Sequence, residues 1–430
     1  MKERFIKQAI ILIIGGFITK ILGMVIRIIT TRIIGLNGIG LYMMVMPTYG
    51  LFITIATLSF PIAISKLVSE NNRNNKRIIL GIIPIAMILN IVLVTILILF
   101  SKIISNNLLQ NEKLYTPILA MSITLPFITL SNIIRGYFFG KEKMIPHVAS
   151  NIIEQLIRII MIIIITPHLL KYGTISAITG IILFNVVSEI VSILILFFFI
   201  PKNIKITKED ILPNHNYIKD IFRISIPTTT GRIISSIGIF LEPIIITYVM
   251  TKTGYTNNEI TNEYGIISGY VLPMVMMPQF LSAAISNALL PTISKFHAQK
   301  NIKQIKRKLY QAITLSLIIG VFFTIIFILF PKQSLKLMFN ETHGSNYLLY
   351  AAPIFLITYI QGPILSTLQG INYPNTIMKS NIMGVIIKSI VLFSSLYLDI
   401  KMYSLLIATF IQYQIVTIYQ YKKIKIYLKQ

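Results

Sequence analysis

The sequence contains no cysteine and no tryptophan among its 430 residues, and acids are scarce: 14 aspartates and glutamates stand against 39 lysines and arginines. Without cysteine there are no disulfides, no thiolate catalysis and no cysteine-ligated metal. Without tryptophan, an interfacial aromatic belt has only the 21 tyrosines to draw on. The 5 histidines (His147, His168, His215, His297 and His343) sit at or beyond the ends of hydrophobic runs, with no HExxH pairing. A GxxxxGK-S/T phosphate loop is missing, which argues against a built-in ATPase. So is an acidic DDxxD cluster of the kind that holds Mg²⁺ for prenyl transfer. Neither an enzyme nor a cofactor or metal centre is therefore expected.

What the chain has is hydrophobicity. It is 55% apolar and 12% charged, where soluble domains are about a quarter charged, and its mean hydropathy is +0.77. Such a composition has no polar face to show water, so an integral membrane protein is expected. Runs long enough to span, about 20 apolar residues each, recur along the chain. With proline, glycine and charge as punctuation, the pattern predicts an all-α membrane fold of about twelve helices over 8–34, 41–68, 78–100, 115–139, 147–168, 174–200, 221–250, 264–293, 309–330, 347–369, 380–398 and 402–421. The first span is too long and too charged for a cleaved signal peptide, and is read as mature structure.

Lysine and arginine favour the cytoplasmic side. The N-terminus, the loops after even-numbered spans and the C-terminus hold 23 of them, and the opposite loops 7. Both termini are thus expected in the cytoplasm of a multi-pass protein of the cell membrane. Topology explains most of the net charge of +25, and no nucleic-acid partner is needed. The two halves also resemble each other. "GKEKMIPHVASNIIEQLIRII" from Gly140 matches "GINYPNTIMKSNIMGVIIKSI" from Gly370, with Ser150-Asn151 opposite Ser380-Asn381 and Arg158 opposite Lys388 at an offset of 230. Pro61 falls opposite Pro291 at the same offset. This predicts two six-helix bundles, 1–200 and 221–430, joined by a polar cytoplasmic linker at 201–220 and related by a pseudo-twofold axis along the membrane normal, as in transporters with a central site.

Nine cations fall inside the predicted spans. "GGFITKILGMVIRIITTRIIG" (15–35) carries Lys20, Arg27 and Arg32. Lys20 and Arg27, seven residues apart, share one helix face, while Arg32 is near the outer end and can snorkel. The stripe reads either as part of a buried ion pair or as the wall of a water-filled pathway. Glu154 and Arg158 are spaced i,i+4 as a helical pair. Arg135 either lines a cavity or snorkels inward. In the seventh span Arg232 and Glu242 lie ten residues apart, about 80° off one face, with Pro243 breaking the helix beside the acid. Glu242 has two readings: a site for a coupling cation or proton, or an ion-pair partner of Arg27. Arg223 reads as an anchor, Lys66 and Lys295 as flanks of the inner mouth, and Glu189 has no partner evident from spacing.

Several stretches resemble the stage V sporulation protein B family of polysaccharide-biosynthesis proteins, within the superfamily of multidrug, oligosaccharidyl-lipid and polysaccharide exporters that includes the lipid II flippase. They are "ITKILGMVIRIITTRIIGLNGIGLYMMVMP" (18–47), "LSFPIAISKLVSE" (58–70), "IIRGYFFGKEKMIPHVASNIIEQLIRI" (133–159) and "FLEPI" (240–244). The resemblance implies a flippase for an undecaprenyl-pyrophosphate-linked oligosaccharide, such as the peptidoglycan precursor, with membrane lipids as its other partners and a coupling cation or the membrane potential as drive. By similarity Lys20 and Arg27 correspond to basic first-span residues lining the central cavity. Two departures stand out: twelve helices in place of the family's usual fourteen, and uncharged residues at Met46–Tyr49 and Tyr270–Pro273, where Gram-negative lipid II flippases carry bases. The expected mechanism is alternating access, with Lys20, Arg27, Arg232 and Arg135 as substrate-binding residues and Glu242, Glu154 and Arg158 in coupling or ion-pair roles. Rival readings are a cation-coupled multidrug exporter on the same fold, a membrane enzyme of wall-lipid metabolism and a non-transporting scaffold in sporulation or wall assembly.

Overall fold

The computed structural model describes residues 2–70, 75–200 and 214–428, and among the described residues every regular element is helical. The chain opens with one helical run, α1 (Lys2–Thr57), whose dihedrals leave helical values at Gly35 (φ 66°, ψ −172°), a conformation reserved for glycine. The apolar stretch Ile10–Ser69 is 60 residues long. At 1.5 Å per residue that is roughly 90 Å, three times the hydrocarbon thickness, so it is two spans meeting at Gly35. A second interruption, with Leu58 and Ser59 at positive φ, precedes α2 (Phe60–Ser69).

There follow α3 (Asn75–Ile103), α4 (Tyr115–Gly140), α5 (Met144–Leu170), α6 (Thr174–Phe198) and α7 (His215–Lys252). The eighth span is assembled from pieces. These are α8 (Asn257–Gly265), a π-helical turn (Ile266–Val271), α9 (Leu272–Met276) and, after a 50° bend, α10 (Gln279–Ala298). Then come α11 (Ile302–Leu329), the short α12 (Pro331–Phe339), α13 (Ser345–Ile354), α14 (Thr358–Gly370), α15 (Pro374–Tyr397) and α16 (Tyr403–Tyr427). Among the described residues 9 helices are long and apolar enough to span, or 10 with the bent pair. Separating the two spans at Gly35 and adding α16, whose polar residues lower its hydropathy, recovers the twelve expected.

By packing, the chain forms two compact units, Met1–Phe240 and Leu241–Gln430. Their boundary falls within α7, so the seventh helix contributes to both. The linker expected at 201–220 lies outside the described residues as far as 213, and the division of the chain there stays a proposal.

The core of the first unit centres on Phe60, Ala63, Ile64, Leu67 and Val68 of α2 against Ile78, Ile82 and Ala86 of α3 and Ile133 of α4. That of the second centres on Leu289 and Ile293 of α10 against Ile305, Leu309 and Ala312 of α11 and Ile364 and Leu368 of α14. Ala63 and Ile293, and likewise Ile82 and Ala312, are 230 residues apart, so the repeat read from sequence is also a repeat of packing. In each unit a glycine face makes the key contact. A Cβ on Gly136 would lie 2.9 Å from the Pro61 Cα, and one on Gly140 2.7 Å from the Ser65 carbonyl oxygen. Gly370, the counterpart of Gly140, meets Ile293 in the same way. Small residues four apart allow such close approach where lipid supplies no hydrophobic drive between helices. The outward faces are apolar and uncovered: Leu99, Ile164 and Phe198 in the first unit, Phe322 and Leu329 in the second. Hydrocarbon is the solvent that suits them.

Candidate functional site

The basic residues of the first span lie on its uncrowded side. Gly15 faces inward, and a Cβ there would collide with Val148 of α5 at 2.3 Å. The opposite is true of Gly16 and Gly23, where an added Cβ meets nothing within 4 Å. Gly16, Lys20, Gly23 and Arg27 recur at helical spacing, so they form one stripe in which cations alternate with residues that have no side chain. Lys20 is exposed and Arg27 half-buried. The Arg27 guanidinium contacts the Met43 sulfur at 3.4 Å, which turns it toward the second span, and Tyr42 lies within electrostatic range of both Arg27 and Arg158. Arg32 is exposed, as an interfacial anchor should be.

Arg232 belongs to the part of α7 that packs in the first unit. Its Nη1 reaches the Ser59 hydroxyl at 3.5 Å, Thr229 donates to the same oxygen at 3.0 Å, and Ser236 and Thr54 share a hydrogen bond of 3.0 Å. These contacts fix the helix beside the break at Leu58 and Ser59, and Arg232 remains exposed there.

The buried charges of α4, α5 and α6 pair with one another. Arg158 Nη2 donates to Glu154 Oε1 at 2.7 Å along α5, the pair expected from spacing, and to Ser188 at 3.2 Å. Arg135 Nη2 donates to Glu154 Oε2 at 2.6 Å and to Ser192 at 2.7 Å, and lies 3.6 Å from Glu189 Oε2. Arg135, expected at the cavity wall or the inner interface, is thus the hub of a buried cluster of two bases and two acids. Spacing within one helix found the Glu154–Arg158 pair. It missed Glu189 because that partner comes from a different helix.

In the second unit Glu242 is buried and bound on both oxygens: Lys388 Nζ lies 2.5 Å from Oε2, and the Tyr264 hydroxyl donates to Oε1 at 3.2 Å. Lys388 was visible in the sequence as the repeat counterpart of Arg158, but nothing there tied it to Glu242. Among the described residues no group of three or more His, Cys, Asp or Glu is placed to hold a metal ion.

Residues 5–297 match the family model described as polysaccharide biosynthesis protein, and residues 267–393 match that of MatE. Stage V sporulation protein B of Bacillus subtilis is 32% identical over 402 residues, covering 91% of this chain and 78% of that protein. The chain belongs to the polysaccharide biosynthesis protein family. The lipid II flippase MurJ of the same bacterium is 24% identical over 428 residues, covering 90% of this chain and 76% of its own. Two solved structures share the fold. One is a multidrug resistance MATE family transporter of the MOP superfamily in an inward-facing conformation, with TM-score 0.75, 15% identity and 96% and 94% of the two chains covered. The other is lipid II flippase MurJ in an inward closed conformation, with TM-score 0.72, 16% identity and 97% and 87% covered. The family member described here is a multi-pass membrane protein with the fold of those two structures, and not an enzyme.

Proposed function

We propose that this transporter moves a polyprenyl-pyrophosphate-linked oligosaccharide, a peptidoglycan precursor or a related cell-envelope unit, across the cytoplasmic membrane by alternating access, with both termini in the cytoplasm. The observation that carries the reading is the open Gly16–Lys20–Gly23–Arg27 stripe. A pyrophosphate is multiply anionic, and crossing hydrocarbon requires replacing its water. Lysine and arginine provide charge-assisted hydrogen bonds for that purpose, and the glycines leave room for a bulky headgroup beside them. Arg232, exposed at the break of the second span, is the third proposed ligand. Arg135, already held by two carboxylates, serves the reading as a support for α5 and α6. An inside-negative potential favours outward movement of the anion by about 2.3 kcal/mol per charge per 100 mV. The relatedness to stage V sporulation protein B and to a lipid II flippase supports the substrate class without choosing the sugar.

The test is transport of a lipid-linked pyrophosphate substrate in proteoliposomes. Replacing Lys20 and Arg27 together by alanine is expected to slow it roughly tenfold or more, since each charged hydrogen bond is worth about 1.5–3 kcal/mol. Transport within about twofold of the parent, with the variant folded, would remove both residues from the site.

A further inference from the structure

A buried acid with a coordination site to spare is one place where a transporter can couple to an inorganic cation. The described residues contain three buried acids, Glu154, Glu189 and Glu242, and each already has a basic side chain of the protein beside it. Glu242 is the most informative. It is contributed by α7, while its two partners come from α8 (Tyr264) and α15 (Lys388), so three helices converge on one carboxylate. A carboxylate and a phenol oxygen on separate helices are oxygen donors of the kind that hard cations prefer. The place a cation would take against Oε2 is filled by the Lys388 ammonium.

The repeat shows which member of the pair is inherited from the duplicated plan. Lys388 corresponds to Arg158 at the offset of 230. In the first half the neutralising acid, Glu154, lies one turn earlier on the same helix. Its counterpart in the second half is Gly384, where a Cβ would meet Val416 at 2.6 Å. The base has kept its place in both halves, while the second half draws its acid from α7. We propose that Lys388 is a tethered counter-ion occupying a cation site at Glu242, and that this protein carries no exchangeable sodium there. Resting on the transport reading above, the consequence is that Glu242 does not couple translocation to a sodium gradient.

The experiment uses the purified full chain and no substrate, so its failure leaves the transport reading untouched. Binding of radioactive sodium and the thermal unfolding midpoint are measured in sodium chloride and in choline chloride at equal ionic strength. The parent protein is expected to bind no sodium and to show the same midpoint in both salts. Lys388→Met leaves the carboxylate and the phenol with a vacancy. It is expected to bind sodium at a single site and to unfold roughly 2–4 °C higher in sodium than in choline. Glu242→Gln combined with Lys388→Met removes both charges and is expected to lose that response. Should Lys388→Met fold only in sodium, that result also supports the assignment. Sodium binding by the parent that Glu242→Gln abolishes would overturn it. So would a folded Lys388→Met that ignores sodium, or one rescued by acid alone, or one unfolded in both salts while the double variant folds.

Discussion

Replacing Arg135 by methionine should separate the roles of its two acidic partners. The Arg135 side chain is 11% exposed and its Nη2 lies 2.6 Å from Glu154, 3.6 Å from Glu189 and 2.7 Å from Ser192. Methionine fills similar volume but removes the charge. Glu154 keeps Arg158 at 2.7 Å, whereas Glu189 loses its ion-pair partner, and its Oε2 has no hydrogen bond even in the intact protein. Removing one side of a buried ion pair costs about 3–5 kcal/mol, chiefly because the remaining charge is stranded. The loss should therefore fall in that range and trace to Glu189. Adding Glu189→Gln, which discharges the stranded acid, is expected to recover most of it. Adding Glu154→Gln instead is expected to recover less, because Arg158 then loses its 2.7 Å partner and keeps only the more distant Glu189 and Ser188. Unfolding free energies in mixed micelles, measured for the three variants and the parent, give the order directly. A loss below about 1 kcal/mol for Arg135→Met, or equal effects of the two second substitutions, would refute this division of the cluster.

Gly35→Val places a β-branched side chain at φ 66°, ψ −172°, and is expected to cost about 1–3 kcal/mol, read as a lowered unfolding midpoint. Gly140→Leu drives side-chain atoms into the Ser65 carbonyl and Val68, so it should destabilise the first unit more than Gly23→Leu, which enters open space. The same Gly23→Leu should instead impair transport by crowding the space between Lys20 and Arg27, which a flux assay on folded protein resolves. Partial burial pushes the Glu341 carboxyl up, but hydrogen bonds from the Thr342 and His343 amides and the His343 ring outweigh it and hold its pKa below the ordinary 4.5. With a depressed folded pKa, the turn is stabilised above pH 4.5 and loses that support as pH falls through the folded value. Amide exchange at Thr342 and His343 should quicken over that acid range, and Glu341→Gln should abolish the dependence.

Much of the fold was legible because a bilayer imposes one rule on every span: about 20 apolar residues with all backbone groups satisfied within the helix. That rule located the helices and, through the offset of 230, the repeat. It did not show that the first two spans run as one helix to Thr57 with only Gly35 between them, since glycine's positive φ replaces the loop that hydropathy leads one to expect. Nor did it show the eighth span in pieces, because a π turn at Ile266–Val271 changes hydrogen bonding without changing polarity. Among the charges, the i,i+4 pair Glu154–Arg158 was readable because both residues share a helix. Arg135–Glu189 and Glu242–Lys388 were not, because their meeting depends on how separate helices pack. The open side of the Lys20–Arg27 stripe needed the structure too: Gly15, Gly16 and Gly23 are identical letters, yet only Gly15 is pressed against a neighbour.

The paired glycine contacts have a consequence for how the two halves tolerate mutation. In the first unit Gly136 and Gly140 abut main-chain atoms of Pro61 and Ser65, which cannot rotate away. In the second, the counterpart of Gly136 is already a serine, Ser366, while Gly370 is held against the Ile293 Cγ2 and Cβ and lies near the Ser294 backbone nitrogen. Two copies of one ancestral interface thus accept variation unequally. Replacement at residues 136, 140 and 370 demands backbone adjustment, whereas residue 366 already carries a side chain. Random mutagenesis under selection for folded protein should fill residue 366 with alternatives long before residues 136, 140 and 370.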